Sequence, residues 1–196
     1  FRGCYCLTNI TISSGVTSIG DNAFLDCPIE NATIPTVAIS HISKTNLKTV
    51  VISGGKSIGA SAFLGCSSLT NITIPEGVTS IGGTAFSGCS SLTNITISDS
   101  VMSIGVRAFY NCNNLKYNIE NNFKYLGGET NKFLYLAGTT STDIKSSQIN
   151  NNCKLIGDSA FSGCNSLTSI IIPNSVISVG DSAFLDCPIE NATIPT

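Results

Sequence analysis

Residues 69–89 read LTNITIPEGVTSIGGTAFSGC, and residues 92–112 repeat every apolar position of that stretch one for one. Leu69, Ile72 and Ile74 are apolar, and Asn71 and Thr73 between them are polar, an alternation that predicts a strand with one buried face. Pro75-Glu76-Gly77 is turn chemistry, because Pro lacks the ladder donor and Gly accepts unusual dihedrals. Val78 and Ile81 return to the core on a second short extended run, and Gly82 bends the chain. Ala85-Phe86 then enters the core on a short arc, expected to be one helical turn, and Cys89 closes the coil.

The unit recurs along the whole chain. Phe1, Phe24, Phe63, Phe86, Phe109, Phe161 and Phe184 are each followed three residues later by a cysteine, and their spacings are 23, 39, 23, 23, 52 and 23. A fixed period of this size marks stacked repeats. One coil cannot bury its own apolar face, so stability requires neighbours with shared strand hydrogen bonds. The reading is a β-rich, right-handed repeat solenoid across residues 1–196. It has parallel strands stacked about 4.8 Å apart, short helical arcs and one hairpin insert.

The wide intervals hide degenerate coils. Ile29 to Ile34 starts a coil that lacks its Ala-Phe arc, and Leu47 to Ile52 starts the next. Ile144 to Cys164 is a complete coil in which Cys153 takes the place of Val78 and Ile156-Gly157 that of Ile81-Gly82. Nine strands are expected, beginning near residues 7, 29, 47, 69, 92, 115, 144, 167 and 189. Residues 115–143 remain as an irregular insert. Its alternating runs at Phe123–Leu126 and Lys132–Leu136 flank Gly127-Gly128, the pattern of a β-hairpin. A longer period overlies the short one: residues 181–196 match residues 21–36 with one change, Asn22 to Ser182. The chain is therefore expected to be a segment of a longer array with neither end capped, and copies are expected to associate end to end through open strand edges.

Composition narrows the partners. Ten Lys and Arg face twelve Asp and Glu, and charged residues are 11% of the chain, so no basic stripe exists for nucleic acid or anionic membrane. No apolar stretch approaches the roughly 18 residues of a membrane span. Seven of the nine cysteines share one repeat position and Cys153 replaces a core Val, so a buried, reduced thiol column is expected, with only Cys6 exposed. The cysteine spacing does not suit a zinc site.

The pattern Leu-x-x-Ile-x-Ile-Pro-x-x-Val-x-x-Ile-Gly-x-x-Ala-Phe-x-x-Cys-x-x-Leu, carried by Leu69 to Leu92 and Leu92 to Leu115, resembles the BspA-like class of leucine-rich repeats. That resemblance implies a surface or secreted protein of mucosal bacteria or parasitic protists, linked to adhesion and to binding of host matrix proteins or other cells. It supplies no ligand-binding motif.

Catalysis is not expected. His41 is the only histidine, Glu30 and Glu190 are equivalent positions of a duplicated segment, and the Gly-Gly pairs lack phosphate-loop context. No cofactor or metal is implied. Asn9, Asn31, Asn71, Asn94 and Asn191 each begin an Asn-x-Thr sequon, which a bacterial host would leave unmodified and a eukaryotic secretory pathway would glycosylate in part. Two surfaces are candidates for a partner. The strand face stacks Asn71, Thr73, Asn94 and Thr96 in columns, and the alternative there is a plain solvated sheet. The insert places Phe123, Tyr125, Phe133 and Tyr135 on one face by alternation, the alternative being packing against the solenoid. Two functions follow: an adhesion or recognition module for host or cell-surface macromolecules, or a structural stalk displaying another domain. Exposed insert rings would favour recognition, since aromatics anchor interfaces, and buried ones would favour the stalk.

Overall fold

A computed structural model of the chain describes residues 1–194; Pro195 and Thr196, the end of the duplicated segment, lie outside the described residues. All nine expected strand positions hold a strand, each opening two or three residues after the predicted start. Asn9–Thr11, Asn31–Pro35, Thr49–Gly54, Asn71–Ile74 and Asn94–Ile97 form one parallel front ladder. Pairing is in register, with Asn71 opposite Asn94, Ile72 opposite Ile95 and Thr73 opposite Thr96. Each identical side chain therefore falls on its counterpart, and Ile72 and Ile74 are buried while Thr73 is exposed. The second extended run forms a shorter back ladder of Ser57–Ile58, Ser80–Ile81 and Ser103–Ile104.

The Ala-Phe arc is not helical. Hydrogen bonds from Ala85 N–H to Gly82 O, Ser87 to Thr84, Cys89 to Phe86 and Leu92 to Cys89 describe tandem turns. Two left-handed residues flank each Phe: the position two before it is Asn22, Ser61, Thr84, Arg107, Ser159 or Ser182, and the position two after is Gly, Asp26, Asn111 or Asp186. Left-handed backbone two residues either side of Phe cannot be α-helix, and Gly, Asn and Asp carry it at least cost. Neighbouring arcs are bonded to each other, as when Ser61, Phe63 and Gly65 N–H donate to Gly83, Ala85 and Ser87 O at 3.0, 2.7 and 2.8 Å.

This stacking builds two columns. Phe86 is fully buried between Phe63 and Phe109, with centroids 5.3 and 5.5 Å away and planes within 5° and 1°. Beside it, where the preceding coil has an arc, the thiol donates to its Phe carbonyl, Cys89 Sγ to Phe63 O at 3.1 Å and Cys112 Sγ to Phe86 O at 3.0 Å. Hydrogen bonds with the Cys112 and Cys66 thiols, and then burial, push Cys89 far above the ordinary thiol value. Cys66 and Cys112 are drawn down by the bond to Cys89, against the opposing effect of burial. We regard the column as protonated at neutral pH, because an ion there would sit in an apolar wall. All nine cysteines are free, and Cys4 is exposed as well as Cys6, while Cys187 is half-buried. The expectation of a single exposed thiol thus fails at Cys4.

The repeat is interrupted twice. In the coil without an arc, a 3-10 helix at Thr36–His41 buries Ala38 and Ile39 instead. After Asn94–Ile97 the front ladder stops, and it resumes as Ser146–Gln148, Ser169–Ile171 and Asn191–Thr193. Between them, Phe123–Leu126 pairs antiparallel with Tyr135–Thr139, the expected hairpin, and Asn118–Glu120 pairs antiparallel with Phe123–Leu126 rather than joining the front ladder. Tyr135-Leu136 then pairs parallel with Leu155-Ile156, and that pair with Ser178-Val179, so the hairpin is the first rung of a new back ladder.

The hairpin is also a partition. Leu126, Leu134 and Tyr135 pack into the N-terminal core cluster, and Phe123, Tyr125 and Leu136 into the C-terminal one. Tyr135 tilts against Phe109 at 5.9 Å, and Phe123 meets Phe161 edge-on at 5.2 Å, so the insert bridges the two Phe columns. Its turn is tied down by Asn131, whose Oδ1 accepts from Phe133 N–H at 3.0 Å and whose Nδ2 donates to Asn152 O at 2.8 Å.

Four outcomes are expected. Phe86→Ala should cost about 3–5 kcal/mol in urea unfolding, the range for a large buried aromatic. Gly82→Ala should cost about 1–3 kcal/mol, because a Cβ there strikes Ala60 N, whereas Gly59→Ala, with nothing within 4 Å, should stay near neutral. Burial pushes the Cys153 thiol up to about 12 from 9.0. Below the lower value both folded and unfolded chains hold that proton; between the two only the unfolded chain ionises, so the melting temperature should be level to about pH 8 and fall from about pH 9 to 12. A thiol reagent at neutral pH should label Cys4 and Cys6 rapidly and leave Cys66, Cys89 and Cys112 protected until denaturant is added.

Candidate recognition surface

The exposed front face carries the columns that the period writes. Asn9, Asn31, Asn71 and Asn94 share one column, broken by Thr49, and Thr11, Thr33, Thr73 and Thr96 share the next, broken by Val51. Asn94, Thr73 and Thr96 are exposed and Asn71 is half-exposed. The amides are not free rotors. Asn31 Nδ2 donates to Asn9 Oδ1 at 2.8 Å and Asn94 Nδ2 to Asn71 Oδ1 at 2.9 Å. Asn71 Nδ2 also donates to Thr70 Oγ1 at 3.0 Å, and Asn94 Nδ2 to Thr93 Oγ1 at 3.1 Å. The Nδ2 atoms that glycosylation would use are thus engaged along the ladder. Where both columns break, the face dips into an open depression of about 250 Å³, lined by Asn9, Thr11, Asn31, Thr33, Thr49 and Val51. Val51 is 38% exposed there, an apolar side chain amid amides and hydroxyls.

The insert does not supply a second surface. Phe123 and Tyr125 are fully buried, Tyr135 is 8% exposed and Phe133 is half-buried. Burial drives the phenols of Tyr125 and Tyr135 well above their ordinary value, and Tyr125 Oη accepts from Asn150 N–H at 3.2 Å. The four rings also do not share a face, since Tyr135 points into the opposite cluster from Phe123 and Tyr125. The physical reason is that the strand is covered on both sides. The unbroken run Phe133-Leu134-Tyr135-Leu136 was the available signal, because two-sided burial removes alternation.

His41 sits half-buried on the 3-10 helix, beside an open groove between the Phe24 arc and Ser40–Asn46. Among the described residues no three His, Cys, Asp or Glu side chains gather as metal ligands, and no helix is long and apolar enough to cross a membrane.

No curated protein matches the chain. Solved structures that resemble it include a leucine-rich repeat protein of T. pallidum, 27% identical, with a TM-score of 0.44 over 78% of this chain and 60% of that one. A leucine-rich cell surface protein of Faecalibacterium prausnitzii is 24% identical, with a TM-score of 0.37 over 97% of this chain and 70% of its own. A leucine-rich repeat protein of Bacteroides ovatus is 24% identical, with a TM-score of 0.46 over 98% of this chain and 50% of its own. The chain spans about 60% of the T. pallidum protein's length and half of the Bacteroides protein's. None superposes closely, so assignment rests on the repeat itself. The BspA type leucine-rich repeat region matches in six copies over residues 1–52, 56–135 and 139–196. This chain belongs to the BspA-type leucine-rich repeat family.

Proposed function

We propose that this chain is a protein-recognition module of a surface or secreted protein, acting through its front sheet rather than by catalysis. The observation that carries the reading is the exposed Asn ladder held by amide-to-amide hydrogen bonds. Side chains already fixed in the unbound state lose little freedom on contact, which is the main cost a flat polar interface faces. The break at Thr49 and Val51 gives the N-terminal part of the face a distinctive place, a depression lined by a half-exposed apolar side chain. The partner it suits is a host-matrix or cell-surface protein, and repeated rungs add avidity through effective concentration.

A stalk that displays another domain is the second reading, favoured by the burial of Phe123, Tyr125 and Tyr135. The two part in one experiment. The wild-type chain, a Thr73→Arg/Thr96→Arg variant and a Val51→Arg variant are measured on a panel of immobilised extracellular-matrix proteins. Recognition by the front face predicts binding that weakens about tenfold or more in at least one variant. Binding that is equal in all three, or absent in all, supports the stalk.

A further inference from the structure

The coil that lacks its arc leaves a row of backbone donors without acceptors. Where two complete arcs are neighbours, three N–H groups of one donate to three carbonyls of the next: Thr84, Phe86 and Gly88 to Val106, Ala108 and Tyr110, and Ser159, Phe161 and Gly163 to Asp181, Ala183 and Leu185. The equivalent donors of the Phe24 arc are Asn22, Phe24 and Asp26. The next coil offers a 3-10 helix in place of an arc, and these three N–H groups have no hydrogen-bond partner among the described residues.

Asn22, Phe24 and Asp26 are among the residues that line an open groove of about 1130 Å³ between the arc and residues 40–46. A peptide segment has about this size, and the upper part of the range for ligand sites lies near 1000 Å³. Asp21 and Asp26 are exposed on the groove, and neither Lys nor Arg lines it. Leu25 and Tyr5, 40% and 75% exposed, add apolar surface on the same side. An anion would meet two carboxylates there, so the donors suit neutral carbonyls. The chain shows elsewhere that an arc without a neighbouring arc takes what acceptor it finds, since Arg107 N–H donates to Asp158 Oδ2 at 3.0 Å.

We propose that this groove docks a polypeptide segment of a partner protein in the manner of the absent arc. Its carbonyls accept from Asn22, Phe24 and Asp26, and a basic side chain faces Asp21 and Asp26. Addition of a peptide to an open row of main-chain groups is an established mode of recognition, in which the backbone gives affinity and neighbouring side chains give selectivity. This surface is separate from the front ladder, and it stands or falls independently of what that ladder binds.

The probe is a fluorescein-labelled peptide of residues 103–115 with serine in place of Cys112. Its backbone already receives such a row in this chain, at Val106, Ala108 and Tyr110, and it carries Arg107. Anisotropy on the full chain is paired with amide hydrogen exchange by NMR. Saturable binding should slow exchange at Asn22, Phe24 and Asp26 by about tenfold or more, the behaviour of newly bonded amides. Asp21→Asn/Asp26→Asn in the protein, or Arg107→Glu in the peptide, should weaken binding about fivefold or more at low salt. Asn tolerates the left-handed backbone that Asp26 adopts at φ 65°, so the double variant should fold. Absence of binding overturns the proposal. So does protection confined to Ser182, Phe184 and Asp186, which would mark capture by the last arc, and so does an affinity indifferent to both charge changes.

Discussion

Because a single coil cannot bury its own apolar face, each rung of this solenoid persists only while the next is pressed against it. The closeness of that press is set at the Ile-Gly corner, where a Cβ on Gly82 would strike the backbone of Ala60. Only with no side chain at that corner can the coils approach near enough for the arcs to exchange three hydrogen bonds and for Phe63, Phe86 and Phe109 to stack nearly parallel. The cysteine belongs to the same arrangement. Its S–H reaches back to the Phe carbonyl of the preceding coil, satisfying an acceptor that Ala or Val at that position would leave weaker bonded. Leu, Gly, Phe and Cys recur together because each fills a different need of one contact.

The insert shows what the contact demands when the sequence departs from it. After Phe109 no arc follows in register, and the hairpin supplies substitutes rather than a gap. Tyr135 closes one Phe column and Phe123 opens the other. Gly157 gives the phenol of Tyr135 its room, since a Cβ there would strike Tyr135 Oη. The strand Tyr135–Thr139 then restarts the back ladder that Leu155-Ile156 and Ser178-Val179 continue. Aromatic residues concentrated in an insert thus serve as plugs between two stacks, a structural use that empties them of any role as surface anchors.

Most of the fold was legible because stacking forces every coil to repeat the same apolar positions. Leu69, Ile72, Ile74, Val78 and Ile81 announce the coil, and in-register pairing follows once the period is known. Three things were hidden for distinct reasons. The arc around Phe86 reads as a helical turn, although Gly, Asp or Asn two residues after each Phe marks left-handed backbone. Alternation in Phe123–Leu126 fixes which side chains share a face, but not whether water lies on the other side; burial on both faces is a tertiary fact. Cys4 shares the repeat position of the buried Cys89 yet is exposed, a difference that the repeat pattern does not express. Of the candidate site, the front columns of Asn71, Thr73, Asn94 and Thr96 were readable from register alone, whereas the hydrogen bonds that fix the Asn amides needed side-chain geometry.

Regularity and selectivity pull in opposite directions in such an array. A perfect column of Asn and Thr presents the same chemistry at every rung, so a partner that binds one register binds the next almost equally well. Discrimination has to come from positions where the columns break. In the N-terminal front ladder they break at Thr49 and Val51, and in the C-terminal one Ser146, Ser169, Gln148 and Ile171 stand where Asn and Thr would be. Thr49 and Val51 lie in the coil immediately after the one without an arc, and that arcless coil opens the groove bounded by Asp21, Asp26 and His41. The loss of one arc strands three backbone donors on one side, next to the rung where the polar ladder changes in front. A rigid scaffold with a few irregular rungs is what a recognition surface requires: the stacked coils hold the geometry, and the exceptions carry the information.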